Sequence, residues 1–404
     1  MHLELLSKEG RNLTLAIHWP RFGPYHTSRL ERTSQGLAEK GIRVVGIEIA
    51  VEDTTYEWRV TTSLPGIERY VACPTGKYGN LSPYKIFRNT WKLLQSVQPD
   101  IVAITGYSTW DALVILSWCR IYHRPAILMM ASKYDDASRT GYKESFKRFM
   151  VRQYDSALCS GTLQKQYLEM LGMHPNAVYL GYDVVDNNYF HLKSSIVRQN
   201  PENYRHLPGL AFPEPFFLAS ARFIPRKNIV GLISAYMSYR EQAIKNHDIP
   251  WRLVILGDGI ERNNIEKLIS TKNIEGITLA GFRQIDELPA YYGLASVFIH
   301  PPLQEQWGLV VNEAMASGLP VVVSKTCGCV PDLLIDSVNG FTFDPTDLNS
   351  LTQLMMKCTD HSINLPEMAK ASLVQISHWG LEGFVGGMYC AVISALGPGY
   401  KAPT

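Results

Sequence analysis

Residues 305–324 read EQWGLVVNEAMASGLPVVVS, and the fold of this stretch sets the class of the whole chain. Glu305 precedes a helix start, Gly308 lets the backbone come close to a neighbour, and the helix runs through Glu313, Ala314, Met315 and Ala316. Gly318 and Pro320 stop it, and Val321 to Ser324 follows as an apolar strand. Val297 to His300 is another strand just upstream, so the unit reads strand, turn, helix, strand. Acidic groups near a helix start are favourable partners of its dipole. That accounts for Glu313. It does not account for Glu305, His300, Pro301 and Trp307 crowding one strand-to-helix turn, the place where α/β folds hold ligands.

Outward from this unit, the second half carries strands at Phe217 to Ser220, Leu253 to Leu256 and Thr278 to Ala280. The first half alternates in the same way. Strands are expected at Leu13 to His18, Val44 to Ile49, Asp100 to Thr105, Ala126 to Met130 and Ser156 to Cys159. Helices are expected at Thr27 to Lys40, Lys85 to Ser96, Ala112 to Tyr122, Tyr142 to Gln153 and Leu163 to Leu171. Such alternation predicts parallel sheets with helices on both faces. Residues 181–212 lack a strong period and contain Asn187-Asn188, Asn200-Pro201 and Leu207-Pro208-Gly209, and 186–212 reads as a linker. The expected organisation is a first domain over 1–185, this linker, a second domain over 213–375, and a terminal segment over 376–404.

A chain of 404 residues exceeds what one core supports, and two domains are the default. A net charge of +2 does not advertise a nucleic-acid partner. No apolar run approaches the roughly 20 residues that span a bilayer, and the start, MHLELLSKEGRN, lacks a signal-peptide core. Seven scattered cysteines suit a reducing cytoplasm. In Cys327-Gly328-Cys329 the spacing is not that of a zinc site.

The Glu-x7-Glu pattern followed by Ala314-Met315-Ala316-Ser317-Gly318 and Pro320-Val321-Val322 resembles the donor-binding signature of family 4 retaining glycosyltransferases. Other blocks follow that family's order. Ala221-Arg222-Phe223-Ile224-Pro225-Arg226-Lys227-Asn228 is similar to its Gly-Arg-Leu-x-x-x-Lys-Gly. LVILGDG, Leu253 to Gly259, and Leu279-Ala280-Gly281-Phe282 resemble its next two strand-and-loop blocks, and Asn339-Gly340-Phe341 resembles its Asn-Gly-Leu turn. The likeness is dense over 213–347 and reaches the first half only in outline.

The resemblance implies an α/β chain of GT-B fold, two doubly wound Rossmann-like domains facing across a cleft. It implies transfer of a hexosyl group from a UDP- or GDP-sugar to a hydroxyl of a carbohydrate or lipid-linked acceptor, with retention, in polysaccharide, lipopolysaccharide or glycolipid assembly. No tightly bound cofactor and no metal are implied. Glu305 would face the donor sugar and Glu313 the ribose hydroxyls. Arg222 and Lys227 would hold the diphosphate, by fork and by point charge; solvated surface cations are the alternative. Gly308 and the N–H groups of Leu309 and Val310 would face a phosphate, Gly281 and Phe282 the base; an ordinary apolar residue after a strand is the alternative for Phe282.

The first half departs from the family. Phe22-Gly23-Pro24-Tyr25-His26 replaces its Gly-Gly, leaving Gly23 to approach the diphosphate. Where the family often has a histidine, after Leu128-Met129-Met130-Ala131-Ser132, this chain continues with Lys133, Asp135, Asp136 and Arg139. His26, Asp135 and Arg139 are the candidates on the acceptor side, with helix capping the competing role for the aspartates. The helix at 142–153 mixes aromatics with cations, which suits either peripheral membrane contact at the inner face or ordinary snorkelling side chains. The apolar stripe of Trp379, Phe384, Val385, Met388, Tyr389, Val392 and Ile393 on an expected final helix, Leu381 to Leu396, must be covered by the first domain or by another chain. The helix is similar to the family's last one, which crosses back, and that favours the first domain. An epimerase, a phosphorylase or a natural-product glycosyltransferase would share the fold. A non-catalytic sugar-nucleotide binder is disfavoured by the intact set of Arg222, Lys227, Glu305 and Glu313.

Overall fold

The computed structural model describes residues 13–54, 58–59, 66–137, 139–360 and 362–397. The start, MHLELLSKEGRN, lies outside the described residues. The chain forms two compact units, one of Met1–Asp186 with Trp379–Thr404 and one of Asn187–His378.

The first unit runs β1 (Leu13–Trp19), α1 (Pro24–Ala38), β2 (Ile42–Glu48), β3 (Glu68–Val71), α2 (Pro83–Val97), β4 (Ile101–Thr105), α3 (Trp110–Ile121) and β5 (Ala126–Met130). It continues through α4 (Gly141–Val151), β6 (Ser156–Cys159), α5 (Thr162–Met170) and β7 (Val178–Leu180). Its sheet has the order β3-β2-β1-β4-β5-β6-β7, parallel throughout. Alternate strand residues supply two cores. Ala16, Ile104, Leu128 and Ala157 meet Leu94, Ile115, Met150 and Leu168 from α2 to α5. Leu15, Ile17, Ala103 and Leu158 meet Leu30 and Leu37 of α1 and Phe384, Met388 and Val392 of the C-terminal helix, Leu381–Leu396. That helix sits close to the sheet: a Cβ on Gly387 would fall 2.4 Å from the Leu180 carbonyl oxygen.

The second unit runs α6 (Asn187–Gln199), β8 (Phe216–Ser220), α7 (Ile229–Lys245), β9 (Arg252–Leu256), α8 (Arg262–Thr271), β10 (Ile277–Gly281) and α9 (Leu288–Leu294). Then come β11 (Val297–His300), α10 (Leu309–Ala316), β12 (Val321–Ser324), α11 (Val330–Leu333), β13 (Gly340–Phe343), α12 (Leu348–Thr359) and α13 (Leu365–Ile376). The sheet order is β10-β9-β8-β11-β12-β13, again parallel.

The stretch 186–212, read as a linker, begins with a helix. Its first part is α6, which buries Phe190, Ser194 and Val197 inside the second unit. The buried stripe has a serine at its centre, so it carries little apolar periodicity. Ser194 is accommodated because its hydroxyl meets the Ser317 hydroxyl at 3.0 Å. Asn339-Gly340-Phe341 is also more than a turn. Gly340 opens β13 beside Val321, so close that a Cβ would stand 2.0 Å from the Val321 carbonyl oxygen.

Candidate functional site

In the second unit the chain leaves β8 toward β9 on one side, while β11 joins β8 on the other. The carboxyl ends of β8 and β11 therefore flank the point where strand order reverses, and a crevice forms there in open α/β sheets. Two loops leave these ends, 221–228 and 301–308. They are tied together. The Leu303 N–H donates to the Arg226 carbonyl at 2.8 Å, and the Asn228 side-chain amide donates to the carbonyls of Pro301 and Pro345 at 3.1 and 3.2 Å. Asn228 does this from a left-handed conformation, φ +56°, which asparagine tolerates better than most residues.

This tie brings the Lys227 ammonium onto the Glu305 carboxylate. His300, at the end of β11 and buried, puts Nε2 3.3 Å from the same carboxylate oxygen. The Gln306 N–H donates to the other oxygen at 3.2 Å. Burial works to raise the Glu305 pKa, but His300 and the Lys227 charge outweigh it and hold the carboxyl well below the usual range. Burial keeps His300 below its ordinary value despite the pull of Glu305. At neutral pH the cluster thus sets a carboxylate beside a neutral imidazole.

Behind it stands a brace. The Gly328 N–H donates to the Glu305 carbonyl at 3.2 Å and the Cys329 N–H to the Trp307 carbonyl at 3.1 Å. Cys327-Gly328-Cys329 therefore holds the acidic loop through its backbone. Trp307 does not face outward; it is buried, with its indole N–H donating to Asn312 at 3.0 Å. Gly308, at φ +109°, turns the chain into α10, a conformation that glycine adopts without strain. Leu309 and Val310 follow, half-buried, and present the first N–H groups of the helix. Glu313 lies one turn in, buried, and accepts a hydrogen bond from the Tyr292 hydroxyl at 2.7 Å.

The neighbouring strand ends continue the rim. The Ala221 N–H donates to Leu256 and the Gly257 N–H to Gly281, at 3.1 and 2.9 Å. Gly257 cannot be replaced easily, since a Cβ there would stand 1.8 Å from the Ala221 carbonyl oxygen. Arg222 is half-buried just beyond β8, and Phe282 half-buried just beyond β10. Open space surrounds the Cβ position of Gly281.

The first-unit candidates are dispersed. Gly23 caps α1, and its N–H donates to Nδ1 of His26 at 3.0 Å, which leaves the imidazole proton on Nε2. The His26 pKa is pushed down to about 3 by burial and then by the charges of Arg29 and Arg21. Asp135 and Arg139 lie after β5. Asp135 pairs with the buried Lys133. Arg139 donates to Glu144, to the Tyr167 hydroxyl and to the Lys133 carbonyl at 3.1, 2.7 and 2.7 Å, so its guanidinium braces this loop. Two buried acids escaped the sequence reading. Glu48 accepts from the Phe22 N–H at 2.6 Å and from Arg69 at 2.9 Å, which fixes the loop before Gly23. Asp111 meets His18 at 3.1 Å and the Tyr78 hydroxyl at 2.7 Å. Glu48 ends an apolar strand and Asp111 begins an apolar helix, and a charge so placed is the signal that was available.

Two doubly wound parallel units in one chain are the architecture of the GT-B class. Alr3699/HepE of Anabaena, solved with UDP and glucose, superposes with a TM-score of 0.66 over 94% of this chain and 99% of that one, at 17% identity. Residues 203–372 match the family Glycosyl transferases group 1. An uncharacterised glycosyltransferase of Methanocaldococcus jannaschii is 31% identical over 339 residues, 78% of this chain and 81% of that protein. The chain belongs to the group 1 glycosyltransferases. O-antigen chain mannosyltransferase B of Escherichia coli is 32% identical over 130 residues, 32% of each protein. The chain spans about a fifth of the length of several curated relatives that it matches (22% and 19% in two cases).

Proposed function

We propose that this chain transfers a sugar from a nucleoside diphosphate donor to an acceptor hydroxyl, with retention and without a resident metal. The observation that carries this is the Lys227–Glu305–His300 cluster on the tied loops at the β8/β11 switch point. A diphosphate entering there competes with Glu305 for Lys227, and Arg222 adds a fork-shaped partner. Both cations then stabilise the charge that grows on the departing phosphate oxygen. The freed Glu305, held ionised, accepts hydrogen bonds from donor-sugar hydroxyls, and Glu313 does so from the ribose. In the reaction, the bond between the anomeric carbon and the phosphate oxygen breaks and one to the acceptor oxygen forms. The acceptor proton passes to the leaving phosphate, giving a glycoside and a nucleoside diphosphate.

UDP is favoured as the nucleotide by analogy with the Anabaena structure, and an acceptor in polysaccharide or lipid-linked glycan assembly by analogy with the O-antigen relative. The test is nucleotide release from UDP-glucose and GDP-mannose, with and without a glycoside acceptor. Glu305→Gln should lower kcat by about 10²- to 10³-fold with an unchanged melting curve. Glu313→Ala should mainly raise the donor KM. Unchanged turnover in Glu305→Gln, or donor consumption that ignores the acceptor, overturns the reading.

A further inference from the structure

The outer faces of α2, α3 and α4 differ from the rest of the surface. These helices pack inward on one core, against one face of the first unit's sheet. Among the described residues nine aromatic side chains are exposed, and eight of them belong to these three helices or the loops flanking them. None lies on α1 or the C-terminal helix, which cover the other face. On α4, Tyr142, Phe146 and Phe149 are 73%, 55% and 62% exposed. Their spacing of four and three puts them on one stripe. On α2, Tyr84 and Phe87 are 72% and 48% exposed, and the stripe continues through Trp91, whose ring lies 5.6 Å from Phe87 and 6.3 Å from Tyr122. A patch of this kind marks an interaction surface.

Its charge says what it meets. Helix α2 carries Lys85, Arg88 and Lys92 and no acidic residue. Helix α4 carries Lys143, Lys147 and Arg148 and one acid, Glu144, which is taken up by Arg139 and Lys147 at 3.1 and 2.8 Å. Arg88, Lys92, Lys143 and Arg148 are exposed and have no carboxylate partner among the described residues. Aromatic side chains favour the headgroup level of a bilayer, and basic residues its anionic phosphates. Single-stranded nucleic acid also attracts both types, but along a groove that tracks its backbone. Here they are spread over the outer faces of separate helices.

We propose that this layer, α2 together with α4, seats the protein on an anionic lipid bilayer, with the aromatic stripes at the headgroup boundary and the cations on lipid phosphates. The surface extends well beyond the single helix at 142–153 singled out from sequence, and it stands independently of the donor site. No helix among the described residues is long and apolar enough to cross a membrane, so the contact is superficial.

The test is sedimentation of the full chain with phosphatidylcholine vesicles, with and without about 30% phosphatidylglycerol as the anionic component. Binding should require the anionic lipid and weaken at high salt. Replacing Arg88 and Lys92 together by Gln should weaken it about thirtyfold, from about 1 kcal/mol per basic residue. Phe146→Ser with Phe149→Ser should weaken it too. Nucleotide release from a soluble donor and acceptor, and the melting curve, should not change in either double variant, which separates this surface from folding and from the donor site. The proposal is overturned by no association with anionic vesicles, by association indifferent to lipid charge, or by an α2 variant that binds like the wild type. Retention of an oligonucleotide in place of vesicles, lost in the same variants, would assign the surface to nucleic acid instead.

Discussion

His26 shows how a single side chain is set by its place in the chain. It sits in the first turn of α1 and accepts from the N–H of Gly23, the residue that caps the helix. Burial, and then the charges of Arg29 and Arg21, hold its pKa in the folded state near 3 against an ordinary 6.5. The unfolded chain therefore binds more protons between these values. The resulting stability is complete above pH 6.5 and is lost as the pH falls toward 3. His300 shifts in the same direction. Glu305, a carboxyl with a depressed pKa, contributes stability above about 4.5 that is lost only below it. Between pH 6.5 and 5 the histidines therefore dominate, each with a slope of at most about 1.4 kcal/mol per pH unit. Calorimetry of His26→Asn should show a shallower fall of Tm across that window. A slope equal to the wild type would mean that His26 titrates freely.

At the scale of elements, the C-terminal helix is part of the first unit's core although it lies some 200 residues from the nearest helix of that unit in sequence. Phe384, Met388 and Val392 are fully buried in the core that Leu15, Ala103 and Leu158 also line, and the Ser156 hydroxyl donates to the Ala391 carbonyl at 2.7 Å. Met388→Ala should cost about 2–5 kcal/mol, the usual loss for a large side chain in a packed core. Ending the chain at Ser377 removes all of these contacts and uncovers the part of that sheet face that α1 does not reach. That exceeds the roughly 5–15 kcal/mol by which a domain is stable, and the first unit should then fail to fold. Limited proteolysis would show this as rapid digestion of residues 13–186. A truncated protein with an intact first unit would prove the helix dispensable.

At the scale of the molecule, the two units are built on the same topological rule but differ at their switch points. In the second unit the loops at the reversal hold a cation and a carboxylate in contact. In the first, the equivalent reversal between β1 and β4 buries a His18–Asp111 pair instead. If the second unit alone binds the nucleotide, UDP at a hundred times its Kd should stabilise that unit by about 2.7 kcal/mol. Hydrogen exchange should then slow in β11 and α10 and stay unchanged in β1 to β6. Equal protection of both units would refute this division of labour.

Strands and helices were legible wherever a short apolar run met a clear stop, as at Ala126–Met130, Ser156–Cys159, Val321–Ser324 and Leu381–Leu396, because burial on both faces of a parallel sheet demands uninterrupted apolar side chains. The acidic turn was legible too, since a strand-to-helix turn with a glycine at its end has few conformations open to it. Helix α6 was not, because a serine occupies the middle of its buried stripe and is tolerated only through a hydroxyl contact with Ser317. Charge partners were equally out of reach. Nothing local says that Lys227 will meet Glu305, that Tyr292 will meet Glu313, or that Arg139 will be absorbed by Glu144 and Tyr167. Local sequence determined the elements and the chemistry available at their ends, because propensity and burial pattern act over a few residues. Tertiary structure alone decided which of those ends meet, because that depends on strand order, and strand order is an energy of the whole sheet.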